Sequence, residues 1–402
     1  MLLKQSNSII NIYSSFCNSL YLLKSNSYDY VFLGAGCAGL SLLMRMIRTG
    51  KFADKKILLL DKNQKTTNDR TWCFWEKENG FFEETVYRKW DTISFFGEDI
   101  SLSMPIAPYR YKMIRGIDFY NYCFTEIEKH KNIEVVYTEI GQWWQEKNNS
   151  IIILDNLQYS LGWPVVFNSI YEPQSDKPTT IKLLQHFKGW MIETDKPVFN
   201  TVEATMMDFR VHQNFGTTFT YVLPTSERTA LVEYTLFSKK LLEQEQYDSE
   251  LKNYIKTILQ IDNYTIKEEE FGVIPMTNEK FSFAGKAWNI GAAGGQTKAS
   301  SGYTFQFIQK QSRDIVECLF NDKSLKYVPD TPGRFRFYDN TLLHVLYNNT
   351  FPGKGLFTRL FKKNSPQQVL KFLDNESTLS EELKIISSLP VWPFLRAALK
   401  QF

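Results

Sequence analysis

Two kinds of apolar pattern divide this chain. Near its start, Tyr30-Val-Phe-Leu33 and Ile57-Leu-Leu-Leu60 are continuous apolar runs of strand length, as expected of parallel strands buried on both faces. Leu40-Ser-Leu-Leu-Met44 between them is helix-like. Ile117–Lys129 is also predicted as a helix, with Phe119, Tyr120, Cys123, Phe124 and Ile127 at helical spacing. Thr92–Phe96, Ser101–Met104, Ile133–Tyr137 and Ser150–Leu154 are short strand candidates, and Trp163–Phe167 adds a further strand to the first unit. In the middle the pattern changes. Thr180–Phe187, Met191–Thr194, Val202–Phe209, Thr217–Leu223 and Ala230–Phe237 are strand-like and separated by turn residues, which predicts an inserted antiparallel sheet. Tyr247–Leu259 is predicted helical, and the tail beyond Pro332 mostly so.

The first apolar run ends in Gly34-Ala35-Gly36-Cys-Ala-Gly39 and passes straight into the first helix. This strand–turn–helix opens a dinucleotide-binding unit. Gly34 allows the tight turn, Gly36 lets the backbone approach a pyrophosphate, and Gly39 lets helix pack on strand. The helix N-terminus offers free N–H groups and partial positive charge. Asp61 ends the second strand 22 residues after Gly39, near the ~20 expected of a ribose-binding carboxylate. The alternative is a glycine-rich turn of another α/β fold, with Asp61 capping a strand end.

A second glycine-rich turn, Gly291-Ala-Ala-Gly294-Gly295, follows an apolar strand and leads through Thr297, Ser300 and Gly302 to a helix from about Tyr303 to Leu319. Two such turns so far apart suit FAD better than NAD. A late helix start can hold negative charge on a reduced flavin ring. The predicted organisation is therefore an extension at 1–27, a discontinuous FAD-binding domain (28–75, 110–170 and 280–322), a substrate-binding domain (76–109 and 171–279) and a helical region at 323–402.

Composition narrows the partners. Lysine and arginine exceed aspartate and glutamate by 47 to 44 in 402 residues, so nothing demands nucleic acid. The five cysteines are scattered, which favours a reducing compartment over a disulfide framework. The four histidines fall at no metal-ligand spacing, so no metal is expected. Tyr30–Met44 is uncharged for only 15 residues, short of the ~20 a spanning helix needs. A cytoplasmic protein is expected.

With these elements placed, the chain resembles the FAD-dependent lycopene cyclase family, a branch of the group-2 flavoprotein monooxygenase and geranylgeranyl reductase-like folds. The matching segments include Asp69-Arg-Thr-Trp-Cys-Phe-Trp75, Gln185-His-Phe-Lys-Gly-Trp190, Met207-Asp-Phe-Arg210, Ala230-Leu-Val-Glu-Tyr-Thr-Leu-Phe237 and Gly291–Tyr303. The resemblance implies an α/β fold with an inserted antiparallel sheet and a helical cap. It implies cyclisation of the linear end groups of lycopene, started by a proton and without net redox change. FAD would act in its reduced form, with NAD(P)H as electron source. The rivals are an isoprenoid reductase, an FAD monooxygenase and a non-catalytic flavin- or carotenoid-binding protein.

The resemblance makes Glu233 the catalytic acid. The residues agree: Leu231, Glu233, Thr235 and Phe237 share a strand face, and a carboxyl among apolar groups keeps its proton more firmly. The alternative is a solvated glutamate on a wet sheet face. Asp208 is a second acid/base candidate with Arg210 beside it, or the two form a structural ion pair. Trp72, Phe74 and Trp75 either line a dry substrate pocket or fill core. Arg70 contacts the flavin or makes a surface salt bridge. Phe81-Phe-Glu-Glu-Thr85 imitates a glutamate motif of plant cyclases and is read as a surface segment with Glu83 and Glu84 solvated. A bilayer-dissolved substrate implies peripheral membrane contact. Phe351–Lys363 interleaves aromatics with cations and Ser388–Leu395 is apolar; each is an interfacial segment or a helix buried on the catalytic domain.

Overall fold

The computed structural model describes residues 23, 27–146, 149–172, 180–279, 281 and 287–401. The predicted extension at 1–27 lies almost wholly outside them.

The continuous apolar runs form a five-stranded parallel sheet, in the order Trp288–Asn289, Val165–Asn168, Tyr30–Leu33, Ile57–Asp61, Ile133–Tyr137. Its two faces bury alternate residues. Phe32, Ile57 and Leu59 pack against the helices Cys37–Thr49 and Phe305–Phe320. Val31, Leu58 and Leu60 pack against a three-stranded antiparallel sheet of Ile140–Glu146, Asn149–Leu154 and Leu157–Ser160. Each such leucine contributes roughly 2 kcal/mol of burial. Gly50 stops the first helix at φ 69°, a left-handed position glycine occupies without Cβ strain.

The middle of the chain forms a seven-stranded sheet, in the order Tyr264–Thr277, Lys182–Thr194, Thr229–Ser238, Thr217–Pro224, Glu203–Asp208, Thr92–Phe96, Ser101–Pro105. All neighbours are antiparallel except Glu203–Asp208 with Thr92–Phe96. Two differences from the sequence pattern matter. The strands predicted at 180–187 and 191–194 are one strand, Lys182–Thr194, running through Gly189. The 14-residue edge strand Tyr264–Thr277 was not predicted.

One face of this sheet carries the helix Gln244–Thr257. The other meets the C-terminal helices, with Phe95 stacked on Phe361 at 4.5 Å. Between the large sheets lies a three-stranded sheet of Thr71–Glu76, Arg110–Arg115 and Val86–Trp90. The Trp-Cys-Phe-Trp segment lies on the first of these strands. Glu83 is not solvated. It pairs with Lys89 and, at 2.6 Å, with the buried Lys112 ammonium.

Candidate active site

Gly34 sits at φ 101°, where a Cβ would lie 2.3 Å from the Ser169 hydroxyl. A Cβ on Gly39 would lie 2.2 Å from the Gly34 carbonyl oxygen, so helix and strand touch there. At Gly36 a Cβ would meet nothing within 4 Å, and no side chain caps the helix that Gly36 precedes. That is an open backbone cradle at a helix N-terminus, as a diphosphate requires. Asp61 adjoins the turn. It accepts the Ala35 N–H at 2.7 Å, the Asn63 N–H at 3.0 Å and the Lys65 ammonium at 2.8 Å.

The second glycine turn packs directly on the first unit. A Cβ on Gly291 would come within 2.6 Å of Ala38 Cβ. Gly291 and Gly295 have φ of 62° and 72°. A Cβ on Gly294 would strike the Asn289 carbonyl at 2.2 Å, and one on Gly302 would strike Gln185 Oε1 at 1.9 Å. Thr297 lines a cavity beyond this turn. Ser300 does not: its buried hydroxyl donates to Asp339 at 2.6 Å, beside the Lys298–Asp339 ion pair at 2.7 Å. Its side chain anchors a C-terminal helix.

The cavity, of about 380 Å³, runs from this turn to the seven-stranded sheet. Arg70, Thr71, Trp72 and Cys73 form one wall, and Tyr303 and Phe305 another. Tyr221, Leu231 and Glu233 form its sheet side. Among the Trp-Cys-Phe-Trp aromatics, only Trp72 reaches it. Phe74 shares the strand face of Trp72 and stacks on Phe305 at 4.3 Å, deeper in the core than the cavity. Trp75 lies behind the wall, edge-on to Tyr303 at 4.8 Å, with its indole N–H donating to the Leu370 carbonyl.

Glu233 has an unpredicted neighbour. Gly189 of the central strand pairs with Glu233 on one side and Glu270 on the other. Residues opposite one another share a face, so the three form a row. Strands two apart are separated by roughly 9.6 Å, and the missing side chain at Gly189 opens the space between. A Cβ there would lie 3.0 Å from Glu270 Cγ and 3.1 Å from its Oε1. The two carboxyls are hydrogen-bonded to each other. Thr235 donates to Glu233 at 2.7 Å and Thr71 to Glu270 at 2.8 Å. Glu270 Oε1 is buried and faces no other donor, so the contact requires a proton on one carboxyl.

Among the described residues no ammonium or guanidinium pairs with either glutamate. Burial pushes the Glu233 carboxyl well above the usual carboxylate range, and the Glu270 charge adds to this. Burial also raises Glu270, against the hydrogen bonds from Thr71 and Glu233. Cys73 and Tyr221 are pushed up as well, by burial first and then by neighbouring groups that include Glu233. This is an uncharged-acid environment lined by aromatic rings.

Asp208 and Arg210 lie elsewhere. Asp208 pairs with Thr220 and Thr220 with Tyr234, whereas Glu233 pairs with Tyr221. That alternation puts Asp208 on the opposite face. There it is fully buried, accepts the Tyr254 hydroxyl at 2.7 Å and pairs with Arg210 at 2.6 Å. The pair belongs to the packing of the helix Gln244–Thr257, away from the cavity.

This layered arrangement defines a class: the fold of FAD-dependent monooxygenases and reductases. The flavin-dependent brominase Bmp2 is similar, at TM-score 0.61 and 13% identity over 94% of this chain and 99% of that one. So is a flavoprotein/dehydrogenase from Cytophaga hutchinsonii, at 0.61 and 10% over 94% and 100%. A geranylgeranyl bacteriochlorophyll reductase-like protein from Thermoplasma acidophilum matches at 0.55 and 12% over 94% and 97%. No curated protein matches by sequence. The profile of one family, described as lycopene cyclase protein, matches residues 29–399. The chain belongs to the lycopene cyclase family.

Proposed function

We propose that this protein cyclises the acyclic end groups of lycopene to β-ionone rings, giving β-carotene, without net redox change. The observation that carries the reading is Glu233: a carboxyl kept protonated by burial, facing an aromatic cavity that adjoins the second glycine turn. A hydrocarbon offers nothing to hydrogen-bond. Its activation needs a dry acid and surroundings that tolerate a cation.

The residues fit FAD. The Gly34–Gly39 cradle with Ala35 would take the diphosphate and Asp61 the ribose. Gly291, Gly294, Gly295, Thr297 and Arg70 would surround the flavin end, with Gly302 shaping the turn beyond. When bound and reduced, FAD supplies negative charge beside the cavity. Glu233 Oε delivers its proton to the terminal double bond. The faces of Trp72, Tyr221 and Tyr303 adjoin the resulting cation and exclude water. The proton lost from the new ring returns to the Glu233 carboxylate, so the protein ends as it began.

The test is anaerobic incubation with lycopene liposomes, FAD and NADPH, following pigment and NADPH together. A ringed isomer of unchanged mass without matching NADPH loss supports the reading. Stoichiometric NADPH loss with a reduced or oxygenated product overturns it in favour of a reductase or monooxygenase.

We further propose peripheral binding to membranes through the last two helices, Leu379–Ser388 and Val391–Leu399. Among the described residues no helix is long and apolar enough to cross a membrane. The helix Gly353–Lys363 buries Leu356, Phe357, Leu360 and Phe361 against the seven-stranded sheet and is not the contact. In contrast Leu383, Val391, Trp392 and Leu399 are each about two-thirds exposed, with Arg396 and Lys400 exposed beside them. Such a face suits an anionic lipid surface. Co-sedimentation with anionic liposomes, reduced in Trp392→Glu, is expected. Failure to sediment at low salt overturns it.

A further inference from the structure

We propose that Glu270 is the positioning partner of Glu233: across Gly189 the two carboxyls hold one proton, and Glu270 keeps the acid loaded between turnovers. The inference rests on the cyclase reading for its chemistry, but its geometry stands without it. Glu270 is 7% exposed, and its buried Oε1, which has no partner but Glu233, lies over Gly189. Its other oxygen is fixed by Thr71 at 2.8 Å. Thr71 lies on the strand that also brings Trp72 and Cys73 to the cavity, so the pair is held from two sheets. Glu233 alone reaches the cavity; Glu270 acts through it.

The proton count closes. At rest the pair carries one proton and one negative charge. Glu233 gives its proton to the terminal alkene carbon, and its O–H bond breaks as the new C–H bond forms. Two carboxylates then stand beside one carbocation, an arrangement that favours charge developing there. The ring C–H bond breaks to leave a double bond, and its proton restores the Glu233 carboxyl. No oxidant or reductant is consumed.

The titratable and charged groups facing the pair are Asp69 and Arg70 from the loop, Cys73 and Tyr111 from the bridging sheet, Tyr221 and Tyr303 across the cavity, and Glu268 on the edge strand. Arg70 is itself paired with Asp69 at 2.8 Å. The cysteine and the three tyrosines are all pushed above their ordinary values by burial. They are neutral across the range in which the pair titrates.

Glu270→Gln keeps size and hydrogen-bonding capacity but removes the charge. FAD binding is expected unchanged, kcat reduced about 100-fold, and the alkaline limb of the kcat–pH profile moved to lower pH. A structural role alone would leave that limb in place, and an unmoved limb overturns the proposal. Should Glu270→Gln fail to fold, Gly189→Ala retains both carboxyls while its Cβ, 3.0 Å from Glu270 Cγ and from Leu231 Cδ1, crowds the pair. A smaller limb shift in the same direction is expected, and a limb left in place overturns the proposal. Infrared titration of the substrate-free protein separates this from the cyclase reading. The protonated-carboxyl band of the wild type is expected to vanish at lower pH in Glu270→Gln, whatever the enzyme's product. If the band moves and lycopene is untouched, the pair stands and the substrate reading falls. If rings form and neither band nor limb moves, the pair falls alone.

Discussion

Asp208 and Glu233 lie on the same seven-stranded sheet, one on each face, and both are removed from bulk water. Asp208 has a guanidinium and a phenol as partners. Glu233 has a threonine hydroxyl and another carboxyl. The first set supports a charge; the second supports a proton. Burial is common to both, so burial alone does not mark an acid. The difference lies in whether a cation has been placed within reach.

That contrast can be broken from either side. Glu233→Gln is the most severe change: kcat is expected to fall about a thousandfold or more, with flavin still retained on gel filtration. Ring formation at the wild-type rate would end the assignment of Glu233. Asp208→Asn should do the reverse. It leaves product formation per folded molecule unchanged but costs about 2 kcal/mol in urea unfolding, since Arg210 is partly exposed and rehydrates. A selective loss of kcat there would put Asp208 back in the chemistry.

The pH dependence of stability provides a subtler test. Both glutamates bind their proton more tightly folded than unfolded. Their contribution is fully present below the ordinary glutamate value and is lost as pH rises through the raised folded values. The double variant Glu233→Gln/Glu270→Gln should therefore gain stability relative to wild type as pH is raised from the ordinary glutamate value into the alkaline range. A difference in urea midpoint that stays constant across that rise would refute the shared proton. The smallest effect is expected from Trp72→Ala. It should lower kcat about tenfold through loss of one π face and leave the pH profile in place. A profile that moved would tie Trp72 to proton handling.

The middle of the parallel sheet was legible because Tyr30–Leu33 and Ile57–Asp61 are covered on both faces, which leaves uninterrupted apolar runs and one glycine-marked turn. Glu233 was legible from its flanking leucine and phenylalanine and the family pattern around it. Glu270 was not. Its strand reads Ile266-Lys-Glu-Glu-Glu-Phe271, and an edge strand with exposed Glu268 and Glu269 carries no apolar alternation. Lys182–Thr194 was split in the sequence pattern because Lys188-Gly189 interrupts it, and glycine weakens a strand on average. Here that glycine makes room for the carboxyl pair. Asp208, Ser300 and Trp75 show the converse: correct residue types near the right segments, but each turned by strand or loop geometry toward packing partners that a local pattern does not reveal.

The contact between Gly291 and Ala38 has a consequence for how the protein is made. The strand Trp288–Asn289 completes the parallel sheet beside Val165–Asn168, and the turn after it seats against the first helix. During synthesis the N-terminal strands leave the ribosome long before that closing piece exists. At roughly 5–20 residues per second, the interval is several seconds or more, with an open strand edge exposed throughout. The nucleotide cleft can close only after the whole inserted sheet has been translated. On the FAD reading proposed above, loading of the cofactor is therefore a late event in the life of the nascent chain, and truncated products ending before Gly291 would be expected to bind chaperones rather than flavin.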